Sequence, residues 1–184
     1  DGHLTIGGLT EEQGIVADQT VTLTATSPVT IDKNIVVAGN NGNNDIIIIA
    51  SEDDNDHDSN DHDTITLKAN KKLKAIQGDI YLFAGDDIII EAGTGNDFSI
   101  ETADDKNVFF YSDYSGYVNS GLPTNILYEP DGSSYRAILA ENGDTTGGHV
   151  EVSGLVKSNS LTIYSGNDRN TYEFNAIGTY TTVY

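Results

Sequence analysis

Residues 51 to 63 read SEDDNDHDSNDHD, a dense run of side chains able to ligate a metal. Glu52, Asp53, Asp54, Asp56, Asp58, Asp61 and Asp63 supply carboxylates, and His57 and His62 supply imidazoles. Hard divalent cations take oxygen ligands, and the alternate spacing of Asp54, Asp56 and Asp58 lets carboxylates converge within one loop. The segment is not an EF-hand: Ser59 stands where the sharp turn needs Gly, and the twelfth position is Ile65 instead of Glu. Both histidines have aspartate neighbours, which suits a transition metal whose imidazole ligands are oriented by carboxylates. The candidate metal ligands are therefore Asp54, Asp56, Asp58, Asp61, Asp63, His57 and His62, with calcium as the candidate ion. The competing reading is a solvated loop, the usual fate of a block of like charge.

A second group is aromatic. Nine of the ten tyrosines lie from Tyr111 onward, and Tyr114, Tyr117, Tyr128 and Tyr135 are the candidate receptor-binding residues, since exposed tyrosine favours recognition and stacking on sugars. Filling the core of a C-terminal domain is the alternative use for them. Catalytic patterns are thin. No Gly-x-Ser-x-Gly nucleophile turn occurs, and SDYSGY at 112 to 117 does not match one. AGTGND at 92 to 97 has close glycines without a phosphate-binding lysine or a following helix, and reads as a turn. With 29 acidic residues some pair is always at hand for glycoside hydrolysis, so pairs alone single out no site. His3 and His149 are isolated and read as incidental surface residues. Asp86-Asp87 and Asp104-Asp105 precede apolar strands and read as turn caps. The expectation is a protein that is not an enzyme.

Elements must position these groups, and here the sequence speaks with one period. QTVTLTA, PVTID, NIVVAG, NDIIIIA, DTITLKA, GDIYLFA, DDIIIEA, NDFSIET, NVFFY, SLTIYS and TYEFNA alternate or run apolar over a few residues between Gly, Asn and Asp. Only LTEEQGIVAD, 9 to 18, has a faint helical look, and Gly14 spoils it. The chain is all-β. A shared frame runs through the units: Asp or Asn, an aliphatic or Phe, any residue, Ile or Leu, any residue, Ala or Thr. Ile80, Leu82 and Ala84 share one face, and Tyr81 and Phe83 the other. The first apolar positions Ile80, Ile88, Phe98 and Val108 follow one another at 8, 10 and 10 residues.

That interval looks too short for one coil of a single-chain parallel β-helix. Two architectures then remain: an antiparallel meander, as in a monomeric β-sandwich, or an intertwined trimer in which three chains each give one strand per layer. With no cysteine, no Met and no Trp, the shared core is favoured. The expected segments are 1–50, an N-terminal β segment; 51–63, the acidic loop; 64–111, short-strand repeats; and 112–184, a Tyr-rich β domain.

The formal net charge of −20 argues against nucleic acid and anionic membrane surfaces as partners. No apolar run approaches the roughly 18 residues of a membrane helix.

The stretch GDIYLFAGDDIIIEAG, 78 to 93, resembles the triple-stranded β-helix repeats of bacteriophage tail spikes and fibres. The end of the chain, with Asn170, Tyr172, Phe174 and Gly178, resembles the termini of tail-fibre and virion structural proteins. The resemblance implies an all-β, intertwined homotrimeric β-helix or β-prism fibre with a small C-terminal β domain. It implies a structural virion component, a fibre, spike or decoration protein, located on the virion or outside the cell. Its partners would be itself, other virion proteins and a host glycan or receptor. A calcium-dependent bacterial surface or adhesin module is the second expectation, and a polysaccharide-degrading spike domain the third.

Overall fold

A computed structural model describes residues 4–6, 13–26, 28–40, 44–50, 63–112, 118–119, 122–123, 126–128, 135–137, 148–165, 171–175 and 180–183. Every element among them is a β-strand. The chain winds through three sheets in turn, A, B and C, and then starts again. The first coil is β1 (Leu4–Ile6), β2 (Gln13–Ala17) and β3 (Val21–Ala25). The second is β4 (Val29–Ile31), β5 (Asn34–Val37) and β6 (Ile46–Ala50), and the third β7 (Ile65–Leu67), β8 (Leu73–Ala75) and β9 (Ile80–Ala84). The fourth is β10 (Ile88–Ile90), β11 (Phe98–Thr102) and β12 (Asn107–Tyr111). Between Ser112 and Gly148 lie four short strands, β13 (Val118–Asn119), β14 (Leu122–Pro123), β15 (Ile126–Tyr128) and β16 (Tyr135–Ala137). A fifth coil follows, β17 (His149–Val152), β18 (Leu155–Lys157) and β19 (Ser160–Tyr164), and then β20 (Thr171–Phe174) and β21 (Tyr180–Val183).

Sheet A has the order β1-β4-β7-β10-β17-β20, sheet B β18-β11-β8-β5-β2, and sheet C β21-β19-β12-β9-β6-β3. All pairings within these three sheets are parallel. Antiparallel pairing is confined, among the described residues, to the hairpins β13–β14 and β15–β16. The sheets run through segments 1–50, 64–111 and 112–184 alike.

The register corrects the reading of the repeat interval. Ile80 pairs in parallel with Val108, so the three steps from Ile80 through Ile88 and Phe98 to Val108 together make one coil. An interval of 8 to 10 residues is one side of a three-sided coil, and not a whole turn. The strands that an intertwined fibre would pair between chains pair here within one chain. The meander of a β-sandwich is likewise replaced by parallel sheets. The faint helical look of 9 to 18 also yields: Gln13–Ala17 is a strand, paired with β5.

The apolar frame fills the interior. Val29, Ile65, Ile88 and Val150 form an inward column of sheet A, and Ile31, Leu67, Ile90 and Val152 the next, all fully buried. Ile35, Leu73, Ile100 and Val156 do the same in sheet B, and Ile48, Leu82, Phe110 and Ile163 in sheet C. Strands buried on a common axis favour Val, Ile and Leu because β-branched side chains pack on pleated surfaces and each fully buried one contributes about 1.5–3 kcal/mol. The alanines closing the frame, Ala25, Ala50 and Ala84, stack where sheet C turns toward sheet A. At that level the next coils place Ser112 and Ser165, whose hydroxyl oxygens lie 2.7 Å apart. In sequence, the intervals 51–62 and 113–147 both fall at this same C–A corner, after β6 and after β12.

Candidate functional site

The chemistry-bearing residues gather at the corners of the coil. Just ahead of sheet C, at the B–C corner, successive coils place Thr20, Asp45, Asp79, Asn107 and Ser160 in one column. The side chains of Thr20, Asp45, Asp79 and Asn107 each accept a hydrogen bond from the coil that follows. The Asp45 N–H donates to Thr20 Oγ1 at 3.1 Å, the Asp79 N–H to Asp45 Oδ1 at 2.9 Å, and the Asn107 N–H to Asp79 Oδ1 at 2.7 Å. Ser160 Oγ and Asn159 Nδ2 then donate to Asn107 Oδ1 at 2.8 and 3.0 Å. The frame's leading Asp or Asn therefore supplies an acceptor for a backbone donor that the turn would otherwise bury unpaired.

Asp45 and Asp79 are enclosed, with 7% and 8% of their surface exposed. Burial pushes both carboxyls above the ordinary aspartate range, against the N–H groups that donate to them and the nearby Lys106. Gly39 and Gly78 keep this corner tight. A Cβ on Gly78 would stand 2.1 Å from the Asn44 carbonyl oxygen, and one on Gly39 would stand 2.0 Å from that of Asp18.

The A–B corner does the same work in the open. The Lys72 N–H donates to Asn34 Oδ1 at 2.8 Å and the Thr94 N–H to Asn70 Oδ1 at 2.6 Å. Asn70 adopts φ of 62°, a left-handed conformation that Asn tolerates better than most residues. Glu91 accepts from Lys68 Nζ at 2.6 Å and from the Ala69 N–H at 2.9 Å, and the Lys68 hydrogen bond holds its carboxyl below the usual range.

Two outward faces carry the remaining side chains of interest. On sheet C, Tyr81 stacks on Phe109 with centroids 5.0 Å apart, Phe83 on Tyr111 at 4.6 Å, and Tyr111 on Tyr164 at 5.0 Å. In-register parallel pairing brings these rings face to face, in near-parallel planes. Ile47 and Ile49 continue the row, and Tyr81 and Phe83 are fully buried although they point away from the solenoid axis. On sheet A, β17 and β20 set Glu151 beside Glu173 and His149 beside Thr171. His149 Nδ1 lies 2.7 Å from Thr171 Oγ1, and the His149 backbone N–H donates to Asp87 Oδ1 at 2.8 Å. Ser153 Oγ donates to Glu151 Oε1 at 2.8 Å, and Asn175 Nδ2 reaches Glu173 Oε1 at 3.0 Å. Two neighbouring carboxylates could orient polar groups of a ligand, and like charges in register cost stability unless such donors intervene.

The sequence-derived residues fall unevenly on this frame. Asp54, Asp56, His57, Asp58, Asp61 and His62 lie outside the described residues. Asp63 is described and buried at the head of β7, its N–H donating to Asp86 Oδ2 at 2.7 Å. Among the described residues no three His, Asp or Glu side chains converge as a metal site. Tyr114 and Tyr117 also lie outside the described residues, whereas Tyr128 and Tyr135 pair across the β15–β16 hairpin. Asp86 and Asp87 cap turns as expected, each accepting a backbone N–H. His149, expected to be incidental, is tied into the coil-to-coil bonding of sheet A.

The Asp45–Asp79 column was missed as a unit. Its signal was present in the Asp or Asn that leads each repeat, but only the pairing register shows that these residues stack. No known protein family, curated protein or solved structure matches the chain.

Proposed function

We propose that this protein is a structural, non-catalytic rod: a fibre, spike or decoration component carried on a virion or otherwise outside the cell. The observation that carries this reading is the parallel stack of coils over three sheets, with fully buried aliphatic columns inside and side-chain acceptors fastening coil to coil at the corners. Such a stack resists bending and local opening because each coil is held by its neighbours over three sheets. Recognition of a host glycan or receptor belongs, in this reading, to the segment between Ser112 and Gly148, which includes the Tyr128–Tyr135 hairpin. A homotrimer would assemble from whole solenoids set side by side, since each chain closes its own core.

Light scattering, joined to an activity screen, tests the proposal. A solution mass near three times the 19.7 kDa of one chain supports the fibre assembly, and a single-chain mass rejects the trimer. Release of oligosaccharides from capsular polysaccharide would overturn the non-catalytic reading.

A further inference from the structure

Two carboxylates are enclosed where the second and third coils meet. The Asp79 N–H donates to Asp45 Oδ1, so the second carboxylate is fastened directly above the first. Thr20 contacts the pair from the first coil through the Asp45 N–H. From β9 comes Tyr81, whose hydroxyl lies 3.3 Å from Asp79 Oδ2. From the corner ahead of β12 come Lys106, which attracts both carboxylates, and Asp105, which repels that of Asp79. Two buried negative charges therefore face one lysine among the described residues.

We propose that Asp45 and Asp79 form a proton-operated clamp that hardens the solenoid on acidification. Proton uptake from solvent at this pair removes the repulsion between the carboxylates and the cost of keeping charge out of water. It adds an O–H donor while leaving an oxygen free to accept the backbone N–H of the next coil.

The sign follows from burial, which raises both carboxyls in the folded chain. The stabilisation is complete below the ordinary aspartate value of about 3.9 and is lost as pH rises through the raised folded values. Glu91 acts in the opposite sense: its contribution is present above the ordinary glutamate range and is lost as pH falls through its lowered value.

The test is the thermal midpoint of the full chain, followed upward in pH from the ordinary aspartate value of about 3.9. The wild-type midpoint falls as pH rises. Asp45→Asn with Asp79→Asn keeps an acceptor oxygen at each site, raises the midpoint at about pH 8 by roughly 2–4 °C, and removes most of the slope. The control is Asp32→Asn with Asp97→Asn, two exposed carboxylates of the same total charge, which retains the slope. An undiminished slope in the Asp45/Asp79 variant overturns the proposal. Equal flattening in the control assigns the effect to net charge and also overturns it. Carbon NMR of the wild-type carboxyls is independent of how the variants fold. Midpoints for Asp45 and Asp79 above the ordinary aspartate value of about 3.9 support the clamp, and midpoints at or below it refute it.

Discussion

The B–C and A–B corners perform one task with different chemistry. Both supply side-chain oxygens to backbone N–H groups of the adjacent coil. At the B–C corner the acceptors Asp45 and Asp79 are buried and crowded by glycine-backed chain. At the A–B corner the acceptors are Asn34, Asn70 and the partly exposed Glu91, which is neutralised by Lys68. Burial, and not residue type alone, sets how each corner responds to protons, space and salt. A carboxylate shut away from water is pushed toward its neutral form, and one paired at the surface is held in its charged form.

Crowding gives the largest expected contrast. Gly78→Ala places a methyl group against the Asn44 backbone and should cost about 3 kcal/mol in denaturant unfolding. At Gly95, φ is 100° and nothing lies within 4 Å of an added Cβ, so Gly95→Ala meets only backbone strain of about 1–2 kcal/mol. Equal losses at the two glycines would erase the difference in packing between the corners.

Acceptor loss comes next. Asp79→Ala leaves the Asn107 N–H without its acceptor and should cost about 2 kcal/mol, against about 1 kcal/mol for Asn34→Ala at the more open corner. Thermal melts of the two variants at one pH read this order directly. The smallest effect belongs to the surface pair. Lys68→Met should lower stability by about 0.5 kcal/mol in dilute buffer and by nearly nothing at about 1 M salt. A salt-independent loss would mean that the Lys68 stem packs more than it pairs.

Much of this architecture was legible in the sequence. The period-two runs located the strands, and the split of Ile80, Leu82 and Ala84 from Tyr81 and Phe83 assigned the two faces of β9. What alternation could not supply was the partner of each strand. Spacings of 8, 10 and 10 residues suit one layer shared among chains and one side of a coil equally well, because strand length does not encode where the next strand pairs. The same blindness hid the acid column, whose members Asp45 and Asp79 are far apart in sequence and meet only through the stacking of β6 on β9. Tyr81 and Phe83 were placed on the face opposite Ile80, Leu82 and Ala84, yet their full burial could not be read from an alternating pattern, which expects one face of a strand to meet water.

The shared departure point of 51–62 and 113–147 has a practical consequence. Both fall in sequence at the C–A edge, after the second and fourth coils, so the described residues that precede them, Ala50 and Ser112, stand two strand spacings apart, about 10 Å along the axis. A seam between described strands at which the sequence inserts intervals of such different length behaves as a mounting rail. Foreign peptides grafted at Ala50 or Ser112 should be displayed in a fixed line without disturbing the strands beneath.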